Sequence, residues 1–198
     1  MLQEVVLASS NPGKLRELRR LLEPAKIKVH SQSEFDVRPP EETGMTFVEN
    51  ALIKAREAAW ASGLPALGDD SGLVVDALDG QPGIRSARFA GDQADDEANN
   101  ALLLKRLAGH PEERRGAAFH CCLVLLAHPE DPAPVIATGR WRGRILEEPR
   151  GSGGFGYDPL FYDDERGVGA AEMGPVEKNR NSHRGMALMS LLRKLENR

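Results

Sequence analysis

The sequence predicts an α/β fold, a mixed β-sheet flanked by helices, and three observations carry that prediction. Short apolar, β-rich runs alternate with segments whose leucines or alanines recur at helical spacing. Glycine, proline and asparagine punctuate most of the junctions between them. Two long strand-like segments, 117–127 and 135–146, are joined by a short link holding Pro129, Pro132 and Pro134, which suggests an antiparallel hairpin within the sheet.

Taken in order, Val5-Val6-Leu7-Ala8 reads as a buried strand, and Ser9-Ser10-Asn11-Pro12-Gly13-Lys14 as the turn after it. Asn11 can cap the next helix and Pro12 suits its first position. Leu15, Leu18, Leu21 and Leu22 share one helical face, and Pro24 ends the run. Ile27–His30 is a second strand. Thr46 and Glu49 have capping-box spacing for a helix to about Ser62, with Phe47, Ala51, Ala55 and Ala58 turned inward. Pro65–Gly68 leads a short strand into Asp69-Asp70-Ser71-Gly72, and Leu73-Val74-Val75 stays extended. Asn99–Ala108 is helical, with Gly109 as terminator. Gly151–Asp158 is a glycine-rich loop, and the last helix starts near Ser182 and presents Leu188, Leu191, Leu192 and Leu195.

A chain of 198 residues suits a single domain, 1–198, or two lobes sharing one sheet. With 40% hydrophobic residues it can build a core without staples. A net charge of −4, spread throughout, argues against non-specific nucleic-acid binding but leaves room for a small anionic substrate met by a few local cations. Cys121 and Cys122 are strand neighbours pointing to opposite faces, so a disulfide between them is not expected. The longest apolar stretch, Cys121–Ala127, is far short of the roughly 20 residues a membrane span requires. The expectation is a cytoplasmic protein with no membrane partner.

Four segments could carry chemistry. In Ser9–Lys14, short donors, a close backbone approach at Gly13 and the Lys14 charge gather at a helix N-terminus, which suits phosphate. An ordinary helix cap with a solvated lysine would use the same residues. The acidic pair Asp69-Asp70, with Glu42 upstream, offers hard oxygens of the kind Mg²⁺ takes, at a point where a sheet would expose them at its edge. An Asp- and Gly-rich surface turn is the plainer alternative. In Gly153–Pro159, Phe155 and Tyr157 stand among glycines, where they could stack on a base or plug the core, and Asp158 could accept from ring N–H groups. In Glu177–Arg184, Ser182 can cap a helix whose first turn then holds His183 and Arg184. Cations there oppose the helix dipole unless an anion meets them. No Ser-His-Asp or Cys-His spacing suggests a covalent mechanism, and no Cys/His set has zinc spacing.

On these segments the sequence resembles the noncanonical purine nucleoside triphosphate pyrophosphatases, the ITP/XTP pyrophosphatase family. The matching stretches are Ser9–Lys14, Glu42–Ala51, Asp69–Leu73, Pro82–Arg88, Gly153–Pro159, Glu177–Asn179 and Ser182–Arg184, in order along nearly the whole chain. The resemblance implies hydrolysis of ITP, dITP and XTP to the monophosphate and pyrophosphate. It also implies an elongated two-lobed fold with a long mixed sheet, an active site in the cleft between lobes, and a homodimer. Carried over by motif, Asp70 is the proton acceptor and a Mg²⁺ ligand, with Glu42 a second ligand. Ser9, Ser10, Asn11, Pro12, Gly13, Lys14, Ser71, Phe155, Gly156, Tyr157, Asp158, Lys178, His183 and Arg184 are the implied substrate contacts. Ser10 stands where many relatives have glycine. A nucleotide pyrophosphatase of other preference and a non-hydrolytic nucleotide sensor are the competing readings.

Overall fold

The strands of this chain lie in one seven-stranded sheet whose members are β1 (Glu4–Ala8), β2 (Lys28–Ser31), β3 (Ala66–Val75), β4 (Gly116–Leu126), β5 (Val135–Ile145), β6 (Phe161–Asp163) and β7 (Val168–Gly169). Their order is β2-β1-β3-β4-β5-β6-β7. β1 pairs in parallel with both β2 and β3, whereas β6 runs antiparallel to β5 and β7, so the sheet is mixed as expected. The helices are α1 (Pro12–Leu22), α2 (Phe47–Ser62), α3 (Asp96–Arg106), α4 (Pro175–Asn181) and α5 (His183–Glu196). The structure is a computed structural model and describes residues 2–197. The chain divides into two compact units. The first holds the residues up to Asp70, Cys121–Gly139 and those from Arg184 on, and the second holds Ser71–His120 and Arg140–His183.

In the first unit, strand alternation sorts side chains onto two faces. Val5, Leu7, Leu67, Cys121 and Leu123 form one core with Leu18 and Leu22 of α1 and Leu188 and Leu191 of α5. Their neighbours Val6, Ala8 and Ala66 pack with Ala58 and Ala59 of α2, and Cys122, Val124 and Leu126 pack with Ala51 and Ala55. The two cysteines therefore lie on opposite faces, and no disulfide joins them. α2 starts where its capping box places it: Thr46 accepts from the Glu49 amide while the Glu49 carboxylate accepts from the Thr46 amide at 2.8 Å. It stops at Gly63, whose φ of 68° ends the helix without a Cβ penalty. Gly68 lets α2 lie directly on β3, since a Cβ there would stand 1.9 Å from the Ala51 carbonyl oxygen.

The core of the second unit is aromatic, with Phe119, Trp141, Tyr157 and Phe161 packed among Leu73, Val75, Leu103 and Leu107. Trp141 donates its indole N–H to the buried Asp163 carboxylate at 2.8 Å, which satisfies both groups. α3 begins three residues before the expected Asn99, because Asp95 caps it by accepting from the Ala98 amide. α4 was not anticipated: its polar sequence shows no apolar stripe, and its start is set by Pro175 at the first position after Gly174.

The expectation that the acidic pair lies exposed at a sheet edge is corrected. β3 is an interior strand between β1 and β4, and it runs unbroken for ten residues through Asp69 and Asp70. The apolar flanking residues Ala66, Leu67, Leu73 and Val75 are buried, and the intervening acids are buried with them, at 0% and 5% exposure.

Candidate active site

Because successive strand residues face opposite ways, the two aspartates meet different partners. Asp69 faces α1 and α5. Its Oδ1 accepts from Lys14 Nζ at 2.7 Å and its Oδ2 from Arg184 Nε at 2.7 Å. Arg184, itself 2% exposed, also pairs with Glu17. Burial works against the Arg184 charge, yet the Asp69 and Glu17 carboxylates outweigh it and hold its pKa above the ordinary value. The anions that a cation in the first turn of α5 requires are thus supplied from within the protein.

Asp70 faces α2. Its Oδ1 accepts from Lys54 Nζ at 2.6 Å, and the Asn50 amide lies 3.5 Å from Oδ2. Asn50 and Lys54 are four apart on one helix and share a face. Lys54 Nζ also donates to Glu42 Oε1 at 3.1 Å, and the fully buried Asn50 accepts from the Gly44 amide at 2.8 Å. The stretch Glu42–Ala51 therefore works as one piece: a capped helix start, a loop tied back by Asn50, and a carboxylate carried to Lys54. Burial lifts the Asp70 pKa, and Lys54 and Lys14 pull it back only in part, so it stays above the usual carboxylate range. For Lys54, burial opposes the charge but Asp70 and Glu42 prevail, and its pKa is raised. Cys122, on the same face as Asp70, is pushed up to about 11 by burial and by the two aspartates, so its thiol stays protonated and unreactive.

Among the described residues no group of three or more His, Cys, Asp or Glu is arranged to hold a metal ion. The donor set nevertheless fits a divalent cation of the Mg²⁺ type, which commonly takes one or two carboxylates and fills its other positions with water and phosphate oxygens. Carboxylate oxygens of Glu42 and Asp70 already converge on one cationic centre, the Lys54 ammonium.

The turn after β1 forms as expected. Asn11 Oδ1 accepts from the Gly13 and Lys14 amides at 2.8 and 3.1 Å and caps α1, with Pro12 at its first position. Ser9 Oγ accepts from the Asn11 amide at 3.2 Å, and Ser10 Oγ accepts from Gln32 Nε2 at 2.8 Å.

The remaining site residues belong to the second unit. Ser71 follows Asp70 in β3 and is half-buried. Asp158, 2% exposed, accepts from Lys178 Nζ at 2.5 Å and from the Phe155 amide at 2.8 Å. Gly154 must be glycine there, with a φ of 79° and Asp158 Oδ2 only 2.1 Å from where a Cβ would lie. Lys178 Nζ stands 4.9 Å from the centre of the half-buried Phe155 ring. Gly156 donates to Asp96 at 2.7 Å and accepts from Asn100 at 2.9 Å, so α3 fixes the glycine-rich loop. Tyr157 is in the core, its hydroxyl donating to the Ser86 carbonyl at 2.8 Å. His183 stacks on Phe119, ring centres 4.8 Å apart and planes 12° from parallel.

Sequence reasoning missed Lys54, Asn50 and Gln32. The signal for the first two was present, since both lie one step from the alanines that mark the inward face of α2. The signal for Gln32 was absent: one amide in a polar stretch looks like any other.

The model of the Ham1 family matches residues 5–194. The chain is 56% identical to the dITP/XTP pyrophosphatase of Xanthomonas oryzae pv. oryzae, over 98% of each sequence. The fold matches a HAM1 protein from Coxiella burnetii with a TM-score of 0.90, 50% identity and full coverage of both chains. It also matches a nucleoside-triphosphatase/dITP/XTP pyrophosphatase from Mycobacterium abscessus with a TM-score of 0.76 at 46% identity, over 97% of this chain and 99% of that one.

Proposed function

The chain belongs to the Ham1 family, and from that premise we propose that it is a Mg²⁺-dependent pyrophosphatase of deaminated purine nucleoside triphosphates, converting dITP, ITP and XTP to the monophosphate and pyrophosphate. The observation that carries the reading is the convergence of Glu42 and Asp70 on a single cationic point, the Lys54 ammonium, with the Lys14 charge close enough to pull on the Asp70 carboxyl. Mg²⁺ held by Glu42 and Asp70 would neutralise phosphate charge there. Asp70 orients the attacking water and takes its proton as the water oxygen bonds the α-phosphorus and the bond to the β-phosphate oxygen breaks.

Lys14 and the amides at the start of α1 meet charge on the phosphates. Both acceptors of the Lys14 ammonium among the described residues are atoms of Asp69, which leaves one of its three N–H groups for substrate. Lys54 supplies a second ammonium next to Asp70. In the second unit, the Phe155 ring and Lys178 are the proposed contacts to the purine, its 6-oxo group requiring a donor that adenine would leave unpaired. Two buried cysteines, Cys121 and Cys122, that form no disulfide support a place in the reducing cytosol. A homodimer that binds neither nucleic acid nor membrane completes the reading, and no helix among the described residues is long and apolar enough to cross a membrane.

The test is a substrate panel of ITP, dITP, XTP, ATP, GTP and dCTP with and without Mg²⁺, read as pyrophosphate and monophosphate. Cleavage of the deaminated purines only, and only with the metal, is the expected outcome. Equal cleavage of ATP and GTP would overturn the selectivity, and binding without product would point to a sensor.

A further inference from the structure

The turn that starts α1 is tied from inside by Ser9 and Asn11, whose side chains accept from amides within it. Ser10 is different. Its hydroxyl accepts from outside the turn, from Gln32 Nε2 at 2.8 Å, across 22 residues of sequence. Gln32 is 5% exposed, so its amide is held and not free to sample other partners. The reach follows from the sheet: β1 and β2 are parallel in the register Leu7↔Ser31, and Gln32 is the residue after Ser31 as Ala8 and the turn follow Leu7.

The segment that carries Gln32 is itself clamped. It is a 3-10 turn, Gln32–Phe35, opened by a capping box in which Ser31 accepts from the Ser33 amide and Glu34 accepts from the Ser31 amide at 2.8 Å. His30 lies between two carboxylates, Nδ1 at 3.0 Å from Glu34 and Nε2 at 2.9 Å from Glu4. Neither carboxylate oxygen can donate when ionised, so both ring nitrogens are donors and the imidazolium bridges β1 to the 3-10 turn. Arg19 of α1 reaches Glu34 as well, at 3.3 Å. A chain of short bonds thus runs from the sheet edge through Gln32 to Ser10, whose hydroxyl is held from β2's side rather than by the turn's own amides.

We propose that Gln32 is a positioning residue for substrate: through Ser10 it holds the Ser9–Lys14 turn in the conformation that receives the polyphosphate. The proposal deepens the phosphate-binding reading of that turn and rests on it.

The test is a double-mutant cycle on Gln32→Leu and Ser10→Gly, measured in three ways. Losing one such hydrogen bond, worth about 1 kcal/mol, corresponds to roughly a fivefold change in affinity. Each single variant is therefore expected to raise the KM for dITP about fivefold with kcat within twofold, and the double variant is expected to be no worse than either. Hydrogen exchange of the 9–14 amides in substrate-free protein should speed up in Gln32→Leu. Titration with inorganic tripolyphosphate should show the same fivefold loss in binding, and it reads the turn even if dITP is not a substrate. A Gln32→Leu variant with lowered Tm but unchanged KM, exchange and tripolyphosphate affinity would overturn the proposal. Losses that simply add in the double variant would do the same.

Discussion

Asp69 and Asp70 are neighbours in sequence and nearly opposite in circumstance. Asp69 is closed off: each oxygen has a cation at 2.7 Å, one of those cations is almost fully buried, and the group has no exposed surface. Asp70 has one short ion pair, a distant amide, and a second carboxylate gathered around the same ammonium. The cause is strand alternation, which sends one side chain toward α1 and α5 and the next toward α2. The comparison teaches that an acidic pair in an interior strand need not be one functional unit. One member can hold the elements together while its neighbour keeps the coordination capacity that chemistry needs.

The sharpest way to break the comparison is to neutralise the closed member. Asp69→Asn leaves Arg184 and Lys14 without their common anion, and breaking a buried pair from one side typically costs roughly 3–5 kcal/mol. For a chain of this size that is a fall in Tm on the order of 10 °C. Thermal melts check it, and a Tm within a few degrees of wild type would show that the network is not holding the fold.

A smaller effect is expected where α2 meets β3. Gly68→Ala drives a methyl group into the Ala51 carbonyl, and α2 must withdraw, at about 1–3 kcal/mol for overpacking. Because Asn50 and Lys54 move with α2, turnover should fall further than the loss in stability alone explains. Unchanged kcat/KM would mean that the placement of Lys54 against Asp70 does not matter.

The smallest effect lies at the sheet edge. The hydrogen bonds to Glu34 and Glu4 raise the His30 pKa above 6.5, while burial and Lys28 on the same strand oppose the shift and Arg19 reaches the same Glu34. A raised histidine pKa adds stability that is full below about pH 6.5 and is lost as pH climbs through the folded value. Both carboxylates are nearly half exposed, so solvent screening keeps the contribution small. The Tm advantage of wild type over His30→Gln should therefore be largest near pH 6 and shrink steadily as the pH rises. A gap that widens with pH would reverse the assigned sign.

Much of the scaffold was legible because local chemistry dictates it. Asn11 with Pro12 starts α1, and Thr46 with Glu49 starts α2, whatever the rest of the chain does. The opposite facing of Cys121 and Cys122 followed from alternation, and the same rule applied to Asp69 and Asp70 would have separated their roles. What stayed hidden depends on tertiary approach. Lys54 reaches Asp70 only because Gly68 lets α2 lie on β3, and a solvated lysine is the ordinary expectation for that position. The occupation of Arg184 by Asp69 spans 115 residues and left no local trace. In the glycine-rich loop, the two rings that composition treated alike part ways, Tyr157 going to the core and Phe155 staying beside Lys178.

The central claim is that Asp70 is the working acid and its neighbour is not, and turnover of dITP by Asp70→Asn in saturating Mg²⁺ tests it most directly. Lys54 keeps its ion pair with Glu42 when Asp70 loses its charge, so Tm should stay within about 3 °C of wild type, since roughly 1 kcal/mol either way moves it 2–4 °C. Turnover should fall by roughly 10²–10³, as losing one such electrostatic contact typically does. An Asp70→Asn enzyme that keeps more than half of wild-type turnover would contradict the account.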